Sequence, residues 1–211
     1  MKNVKPPTFH LERALVAKGH LVIGVDEVGC GCLAGPVIAA AVHIPLNSRI
    51  CEIHDSKLLR AEKREEVFTR LLEHGVRFTI GMATASEVDF LNVRRATYLA
   101  MKRAINAYEE ALFAAKHKAI PQLFALVDAW TVPGISISQR GIIHGDRLVK
   151  SIAAASIIAK VVRDRLMREY ENEYPGYFFS RHKGYGTALH YKQLRKHGPS
   201  PLHRKSFLKK L

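Results

Sequence analysis

The sequence has few cysteines and no long apolar run, and each shortage excludes a class of protein. Its 211 residues include three cysteines, Cys30, Cys32 and Cys51, with no CxxC pair. An odd number without that spacing argues against a disulfide framework or a structural zinc site. No stretch of about 18 apolar residues is present to span a bilayer. Segment 1–20 alternates polar and apolar residues, unlike a signal peptide. We therefore expect a cytoplasmic protein.

Acidic residues are also scarce relative to basic ones. The chain has 33 Lys and Arg against 19 Asp and Glu, a formal net charge of +14. Such an excess attracts polyanions and makes their binding salt-dependent. Charge alone does not separate nucleic acid from a membrane surface. The length suits a single domain with its own core, and no internal repeat is visible.

The most informative motif is an apolar run that leads into two adjacent carboxylates and then glycines. Leu21–Val25 is typical of a short buried strand, and Asp26 and Glu27 follow it directly. The glycines of segment 29–31 let the backbone pass close to a bulky partner. An isolated Asp-Glu pair is more often a solvated turn. The interpretation as a metal site at a strand end gains weight only if further carboxylates occupy similar places.

Two further carboxylates also follow apolar runs. The apolar runs 123–127 and 142–145 lead into Asp128 and Asp146. Strand ends in one sheet line a common edge, so the carboxylates are predicted to converge. Four hard oxygen donors favour Mg²⁺ or Mn²⁺ over zinc. Asp128 could instead be a loop acid, although a charge next to five apolar residues is costly without a partner. Asp146 could be the N-cap of a helix.

The remaining periodicities predict an α/β fold. Segments 37–44 and 76–83 are predicted strands, and the second shows a clean period of two. Segments 98–112 and 148–166 are predicted amphipathic helices, and small residues in the second permit close approach to a sheet. A last helix is expected to begin after Thr187 and to end at Gly198–Pro199. Hairpin-linked strands followed by strand–helix units fit a mixed sheet with helices on its faces.

An ordered set of motifs carries a resemblance to a known family. The set comprises Asp26-Glu27-Val28-Gly29, Leu33–Val37, Asp55-Ser56-Lys57, Gly145-Asp146, Ile152–Val161 and His182-Lys183-Gly184-Tyr185. In this order, from about Leu21 to Phe207, the chain resembles bacterial ribonuclease HII. The resemblance implies an RNase H-like mixed sheet flanked by helices, with a C-terminal helical extension. It also implies metal-dependent endonucleolytic cleavage of RNA in RNA–DNA hybrids, and cutting on the 5′ side of a ribonucleotide embedded in duplex DNA.

The resemblance assigns a role to each strand-end carboxylate. Asp26, Glu27, Asp128 and Asp146 would bind two Mn²⁺ or Mg²⁺ ions, with Asp26 as the bridging ligand, and two ions suit hydrolysis of a phosphodiester. Asp164 lies between two arginines in a predicted helix and is expected to form a structural ion pair instead.

The resemblance also implies a set of substrate contacts, at Gly29, Cys30, Gly31, Ser56, Lys57, Lys183 and Tyr185. Backbone groups of segment 29–31 would meet the ribose 2′-OH, the group that distinguishes RNA from DNA. Relatives usually carry arginine or lysine at the position of Cys30, and commonly lysine at that of His144. Tyr185 would stack on a deoxyribose, with a half-buried core tyrosine as the alternative. For Ser56 and Lys57 the alternative is a solvated turn.

The expected domain organisation has three parts: an N-terminal segment 1–20, a catalytic domain 21–186, and a basic extension 187–211 packed on that domain. The basic residues of the extension would form either a duplex-binding face or a charged solvated helix; they are Lys192, Arg195, Lys196, His203, Arg204, Lys205, Lys209 and Lys210. We expect a monomer. Two rival functions remain, a ribonuclease HIII, which carries an extra N-terminal domain, and a catalytically silent nucleic-acid-binding protein.

Overall fold

A computed structural model describes residues 6–48, 50, 53, 59–115 and 122–208. Its centre is a five-stranded sheet in the order β3-β2-β1-β4-β5. The strands are β1 His20–Val28, β2 Val37–His43, β3 Arg77–Ala83, β4 Gln122–Asp128 and β5 Ser138–Ile142. The helices are α1 His10–Val16, α2 Ala61–Glu73, α3 Ala85–Leu91, α4 Val93–Ala114, α5 Gly145–Leu148, α6 Lys150–Glu173, α7 Phe179–His182 and α8 Ala188–His197.

The sheet is mixed, as the sequence predicts. β2 pairs antiparallel with both β1 and β3, whereas β4 pairs parallel with β1 and with β5. Helices cover both faces, so the predicted RNase H-like α/β architecture is confirmed. Among the described residues, no helix combines the length and the apolar character needed to cross a membrane.

The two faces of the sheet bury different helices. Ile23 and Val25 of β1 pack in the cluster that contains the apolar face of α4. Val22 packs with Ile152 of α6 on the opposite face. Because side chains alternate along a strand, Asp26 points toward the α6 face and Glu27 toward the α4 face.

Gly24 sets the distance between β1 and α6. A Cβ atom at this position would lie 2.1 Å from the carbonyl carbon of Ser151 and 2.4 Å from the backbone nitrogen of Ile152. No side chain fits there, so glycine lets the helix backbone pack directly on the strand. The predicted close approach of this helix to the sheet is confirmed.

Several predicted boundaries are wrong in ways that affect the site. β1 does not end at Val25 but runs through Val28, and Asp26 and Glu27 lie opposite Ala40 and Ala39 of β2. The run 142–145 does not form the predicted strand: β5 spans Ser138–Ile142, and Asp146 lies in α5 rather than at a strand end. The helix predicted from position 148 begins at Lys150, after a break at Val149. Five short or polar helices, α1, α2, α3, α5 and α7, were not predicted.

The last helix forms as predicted. The Thr187 side chain accepts a hydrogen bond from the backbone N–H of His190, and α8 ends at His197 with Gly198 as its C-cap. The predicted basic face is partly wrong, because His203 and Arg204 are 2% and 0% exposed and therefore cannot contact a duplex. Lys209 and Lys210 lie outside the described residues. The division of the chain at 186/187 stays a prediction.

Candidate active site

Asp26 is a buried carboxylate at the centre of the site, 4% exposed. Its Oδ1 accepts a hydrogen bond of 2.8 Å from the backbone N–H of Glu27, and the Ser156 side chain of α6 also hydrogen-bonds to it. Burial raises the pKa of Asp26 well above its usual range, and the nearby charges of Glu27 and Asp128 raise it further. Asp26 is therefore held in place in a setting that disfavours its negative charge.

Asp128, the last residue of β4, connects that strand to α5. Its Oδ1 accepts a hydrogen bond of 2.7 Å from the backbone N–H of Gly145, which places Asp146 next to it. Burial and the Asp146 charge raise the pKa of Asp128. The N-cap of α5 is His144, in a left-handed conformation with φ 57°, so the alternative that Asp146 is an N-cap is wrong. Asp146 lies in the first turn and is 5% exposed.

Glu27 approaches from the other face of the sheet. Burial and the Asp128 charge raise the pKa of Glu27, so the two carboxylates interact across the end of the sheet. The structure thus brings the four predicted carboxylates into one electrostatically coupled group.

The donor set fits divalent cations, although a finished metal cage is not present. Among the described residues, no three His, Cys, Asp or Glu side chains are arranged to hold one ion as they stand. Nevertheless, the oxygen donors are of the type that Mg²⁺ and Mn²⁺ prefer, and their mutual repulsion is the kind of charge that a cation neutralises. Mg²⁺ usually keeps waters and binds through few carboxylates together with substrate phosphates. A complete protein cage is thus not required.

The glycines of segment 29–31 differ in their surroundings. Gly29 has φ 95°, and a Cβ there would lie 2.3 Å from Nε of Arg163 and 2.8 Å from the carbonyl oxygen of Pro36. Gly31 has nothing within 4 Å of its Cβ position. Gly29 is therefore required by the protein's own packing, whereas Gly31 leaves open space where a ligand backbone could approach.

Cys30 turns its thiol toward α4 rather than toward solvent. Its Sγ lies 3.2 Å from Oγ1 of Thr97 and 3.7 Å from Oε1 of Glu27. Burial, with the Glu27 charge second, raises the pKa of the thiol to about 12, so it stays protonated at neutral pH. Because the thiolate is the form that binds soft metals, this environment disfavours zinc.

Known proteins resemble this chain over most of its length. The ribonuclease HII family model matches residues 23–210. Ribonuclease HII of Clostridioides difficile (strain 630) is 47% identical over 92% of this chain and 72% of its own length. That of Caldicellulosiruptor saccharolyticus is 41% identical over 96% of this chain and 95% of its own. The chain belongs to the ribonuclease HII family. It is a hydrolase, an endonuclease that degrades the RNA of RNA–DNA hybrids, and the family depends on divalent metal ions.

Solved structures support the fold. The ribonuclease HII in a complex with PCNA from Archaeoglobus fulgidus has a TM-score of 0.63 at 22% identity, over 88% of this chain and 94% of that one. A Bst-RNase HIII in complex with Mn²⁺ also scores 0.63, at 20% identity, over 85% of this chain and 63% of that one. The shared fold does not separate types HII and HIII, but the family model and the sequence relatives do, and the rival HIII assignment is wrong. The catalytically silent alternative is also wrong.

Tyr185 lies beside two cations near the glycine segment. Nζ of Lys160 and Cζ of Arg163 are 5.3 and 5.9 Å from the centroid of its ring. Burial raises the pKa of its hydroxyl to about 12, yet the side chain is 39% exposed. Tyr185 belongs to none of the hydrophobic clusters of the described residues, which disfavours the core alternative.

Arg163 organises the backbone around this tyrosine, and its role was not predicted. It is 0% exposed. Its guanidinium donates to the carbonyl oxygens of Pro36 at 2.9 Å, Lys183 at 2.8 Å and Ala34 at 3.1 Å. One buried cation therefore fixes segment 29–36 relative to the Lys183–Tyr185 turn. The sequence alone does not distinguish Arg163 from the other arginines of the predicted helix.

Arg204 has a similar role from the C-terminal side. Its guanidinium donates twice to the Gly35 carbonyl oxygen, at 3.0 and 2.8 Å, and once to that of Cys30 at 2.9 Å. Burial lowers the pKa of Arg204 to about 10, so it remains charged at neutral pH. It stabilises the glycine segment from within the protein instead of contacting solvent.

His182 connects both ends of the Lys183–Tyr185 turn. Its Nδ1 accepts from the backbone N–H of Gly184 at 3.1 Å, and its Nε2 lies 2.8 Å from the carbonyl oxygen of Tyr177. A backbone N–H only donates, so Nδ1 carries no proton, and a carbonyl oxygen only accepts, so Nε2 carries one. The ring therefore holds a single proton and is neutral. Burial lowers its pKa.

His190 and His203 extend this network to α8. Nδ1 of His190 lies 2.9 Å from the carbonyl oxygen of Tyr185, and the two Nε2 atoms lie 2.9 Å apart. Nδ1 of His203 accepts from the backbone N–H of Ser200 at 2.9 Å. His203 therefore donates to His190, which donates to Tyr185. Burial lowers the pKa of both rings to about 4. Three neutral histidines thus support the turn that carries Lys183.

Some predictions have a different outcome or cannot be followed. Asp164 forms the predicted ion pair, but with Arg64 at 3.4 Å and Lys160 at 2.7 Å rather than with its sequence neighbours. Ser56 and Lys57 lie outside the described residues.

Proposed function

We propose that this endonuclease also cuts duplex DNA on the 5′ side of an embedded ribonucleotide, using two divalent cations and leaving a 3′-OH and a 5′-phosphate. The observation that carries the proposal is the coupled group of Asp26, Glu27, Asp128 and Asp146. Buried carboxylates that repel one another are unfavourable without a cation, and perturbed acids of this kind mark functional sites.

Asp26 and Asp128 have distinct parts in the proposed site. Mn²⁺ or Mg²⁺ ions would supply charge neutralisation at the scissile phosphate and activation of water. Asp26 would be the bridging ligand, because it is the most buried of the group and its charge interacts with both Glu27 and Asp128. Asp128 would bind a cation through its carboxylate, which the hydrogen bond from the backbone N–H of Gly145 to Oδ1 holds in place.

Selection of the ribonucleotide would depend on the glycine segment and Tyr185. Open space at Gly31 lets a nucleotide approach the backbone, whose amide and carbonyl groups can bond a 2′-OH. Tyr185 would contact the neighbouring sugar with its exposed part, and Lys183 would contact a phosphate. Arg163 and the three histidines position these groups without contacting substrate themselves.

The test is cleavage of a duplex that contains one ribonucleotide, with Mn²⁺ present and with EDTA added. We expect metal-dependent cutting at the 5′ side only, identified by mapping both product ends. Asp128→Asn should fold normally and lose about 10³-fold or more in rate, because a neutral amide binds a hard cation poorly. Asp89→Asn is the matched control, since Asp89 caps the exposed backbone N–H groups of Lys205 and Ser206. Cutting that survives EDTA, or near-normal turnover by Asp128→Asn, would contradict the proposal.

A further inference from the structure

The described part of the chain exposes a tryptophan beside the carboxylate group. Trp130 is the single tryptophan of the sequence and is 60% exposed. It lines a cavity of about 260 Å³ together with Glu27, Asp128, Cys30 and Arg94. Singly exposed apolar residues are common, so exposure alone is not informative. The cavity matters because two of the proposed metal ligands form part of its wall.

The segment that carries Trp130 is held rigidly in place. Ala129 has φ 56°, a left-handed conformation that is unusual for alanine. Its backbone N–H donates to the Ile142 carbonyl oxygen at 2.8 Å. A Cβ at Gly141 would lie 2.9 Å from the Ala129 carbonyl oxygen, so β5 needs glycine there to accept this turn. The left-handed conformation of Ala129 is strained, and this strained turn fixes the position of Trp130.

The next turn is equally constrained. The Gln139 side chain accepts from the backbone N–H of Val132 at 2.7 Å and donates to its carbonyl oxygen at 2.8 Å. Val132 itself is buried. A backbone that is fixed before binding loses little conformational entropy when a ligand binds.

Arg94, at the start of α4, completes the pair. Its Cζ lies 5.5 Å from the Trp130 ring centroid and 5.9 Å from that of Tyr98, and its Nε donates to the Tyr98 hydroxyl at 3.2 Å. The guanidinium thus contacts two aromatic rings at the cavity wall. Among the described residues that line the cavity, Arg94 provides the positive charge.

We propose that Trp130 and Arg94 form a stacking subsite for a nucleobase of the substrate strand next to the cleaved phosphate, with Arg94 also contacting a phosphate of that strand. The inference rests on the proposed function, because it places the cleaved phosphate at the coupled carboxylates. Every base has a π-face, so such stacking tolerates any sequence. A planar ring and a cation next to a phosphate-processing site match a nucleotide in both shape and charge.

Cys30 lines the same cavity as Arg94 and directs its thiol toward Thr97. Arg94 therefore supplies the positive charge in this part of the site.

Binding can be measured directly, because Trp130 is the single fluorophore of its kind. Hybrid and ribonucleotide-containing duplexes are titrated into wild-type protein with Ca²⁺ in place of Mn²⁺. Stacking should quench the tryptophan emission in a saturable way. Unchanged emission at concentrations that saturate binding, measured independently by anisotropy of a labelled duplex, would overturn the proposal.

Kinetics test the role in cleavage. Trp130→Ala should raise KM by about tenfold, equivalent to about 1.4 kcal/mol and within the range of base–aromatic stacking. Trp130→Phe should retain most of the affinity. Phe90→Ala is the matched control, because Phe90 is 88% exposed and outside the cavity. A KM for Trp130→Ala within twofold of that of wild type would overturn the subsite.

An abasic scan identifies the ligand as a base. Each nucleotide that flanks the ribonucleotide is replaced in turn by an abasic analogue. The penalty of Trp130→Ala should disappear at one position, where there is no base to stack. An equal penalty at every position would overturn base stacking and indicate that Trp130 acts through the fold.

Salt dependence tests Arg94. Arg94→Gln should reduce the slope of log affinity against log salt by about one, whereas Arg95→Gln, an exposed neighbour outside the cavity, should not. Equal slopes for Arg94→Gln and wild type would remove the phosphate contact. If the wild type fails to cut the ribonucleotide-containing duplex, the proposed function fails. The subsite is then tested separately by assaying the same variants on an RNA–DNA hybrid.

Discussion

Gly24→Ala should damage both stability and catalysis, because the added Cβ meets the backbone of α6. It would lie 2.1 Å from the Ser151 carbonyl carbon, and ordinary contact begins at 3.4 Å, so strand and helix must separate by about 1.3 Å at this point. Overpacking of this kind costs about 1–3 kcal/mol. For a chain of this length that corresponds to a fall in Tm of roughly 2–12 °C.

The same displacement reaches the proposed active site. β1 carries Asp26, and α6 carries Ser156, which hydrogen-bonds to it. A misplacement of about 1 Å typically costs about 10²-fold in rate. We therefore expect Gly24→Ala to lose about that much in kcat when assayed well below its Tm, with KM less affected. Gly31→Ala is the stability control, since its Cβ meets nothing within 4 Å. Wild-type Tm and kcat in Gly24→Ala would refute the argument from close packing.

Further predictions concern the metal ligands and the substrate contacts. Since burial and nearby carboxylates raise the pKa of Asp26, the metal-free folded state binds more protons than the unfolded state. Its stability should then fall as pH rises from about 4 through the raised pKa. Mn²⁺ at about 100 times its Kd should add about 2.7 kcal/mol, most effectively at high pH. Thermal melts of Asp26→Asn should show both effects reduced, with the remainder due to Glu27 and Asp128, whose pKa values are also raised. A wild-type response in that variant would exclude Asp26 as a ligand. Gly31→Ala should keep its Tm but raise KM for ribonucleotide-containing duplex if the backbone there contacts substrate; an unchanged KM would exclude that contact. Tyr185→Ala should slow cleavage at a lone ribonucleotide while leaving Tm nearly unchanged. A clear fall in Tm with normal cleavage by the folded enzyme would show a structural role. Cys30→Ala should retain activity and cleavage position, with micromolar zinc having no effect on either variant; loss of activity under reducing conditions would show that the thiol itself acts.

Local sequence patterns were sufficient to predict the longer strands and helices. The alternation in β3 and the three- and four-residue spacing in α4 predicted these two elements, because burial of one face imposes a period on the sequence. The short helices α1, α3, α5 and α7 were missed, since seven residues or fewer show too little of a helical period. The carboxylates Asp26, Asp128 and Asp146 were singled out because a charge next to an apolar run is energetically costly without a partner.

The sequence by itself determined the fold class and the family and singled out four candidate carboxylates, since each depends on residue type and local order. Tertiary structure decided how they are used. It placed Asp26 and Glu27 toward opposite faces of the sheet, because β1 continues through them. It buried Arg204, whose carbonyl partner Gly35 is 169 positions away, and no local pattern records a contact over that distance. It also placed Arg94 against Trp130, two residues from different elements that meet only when α4 packs on the sheet.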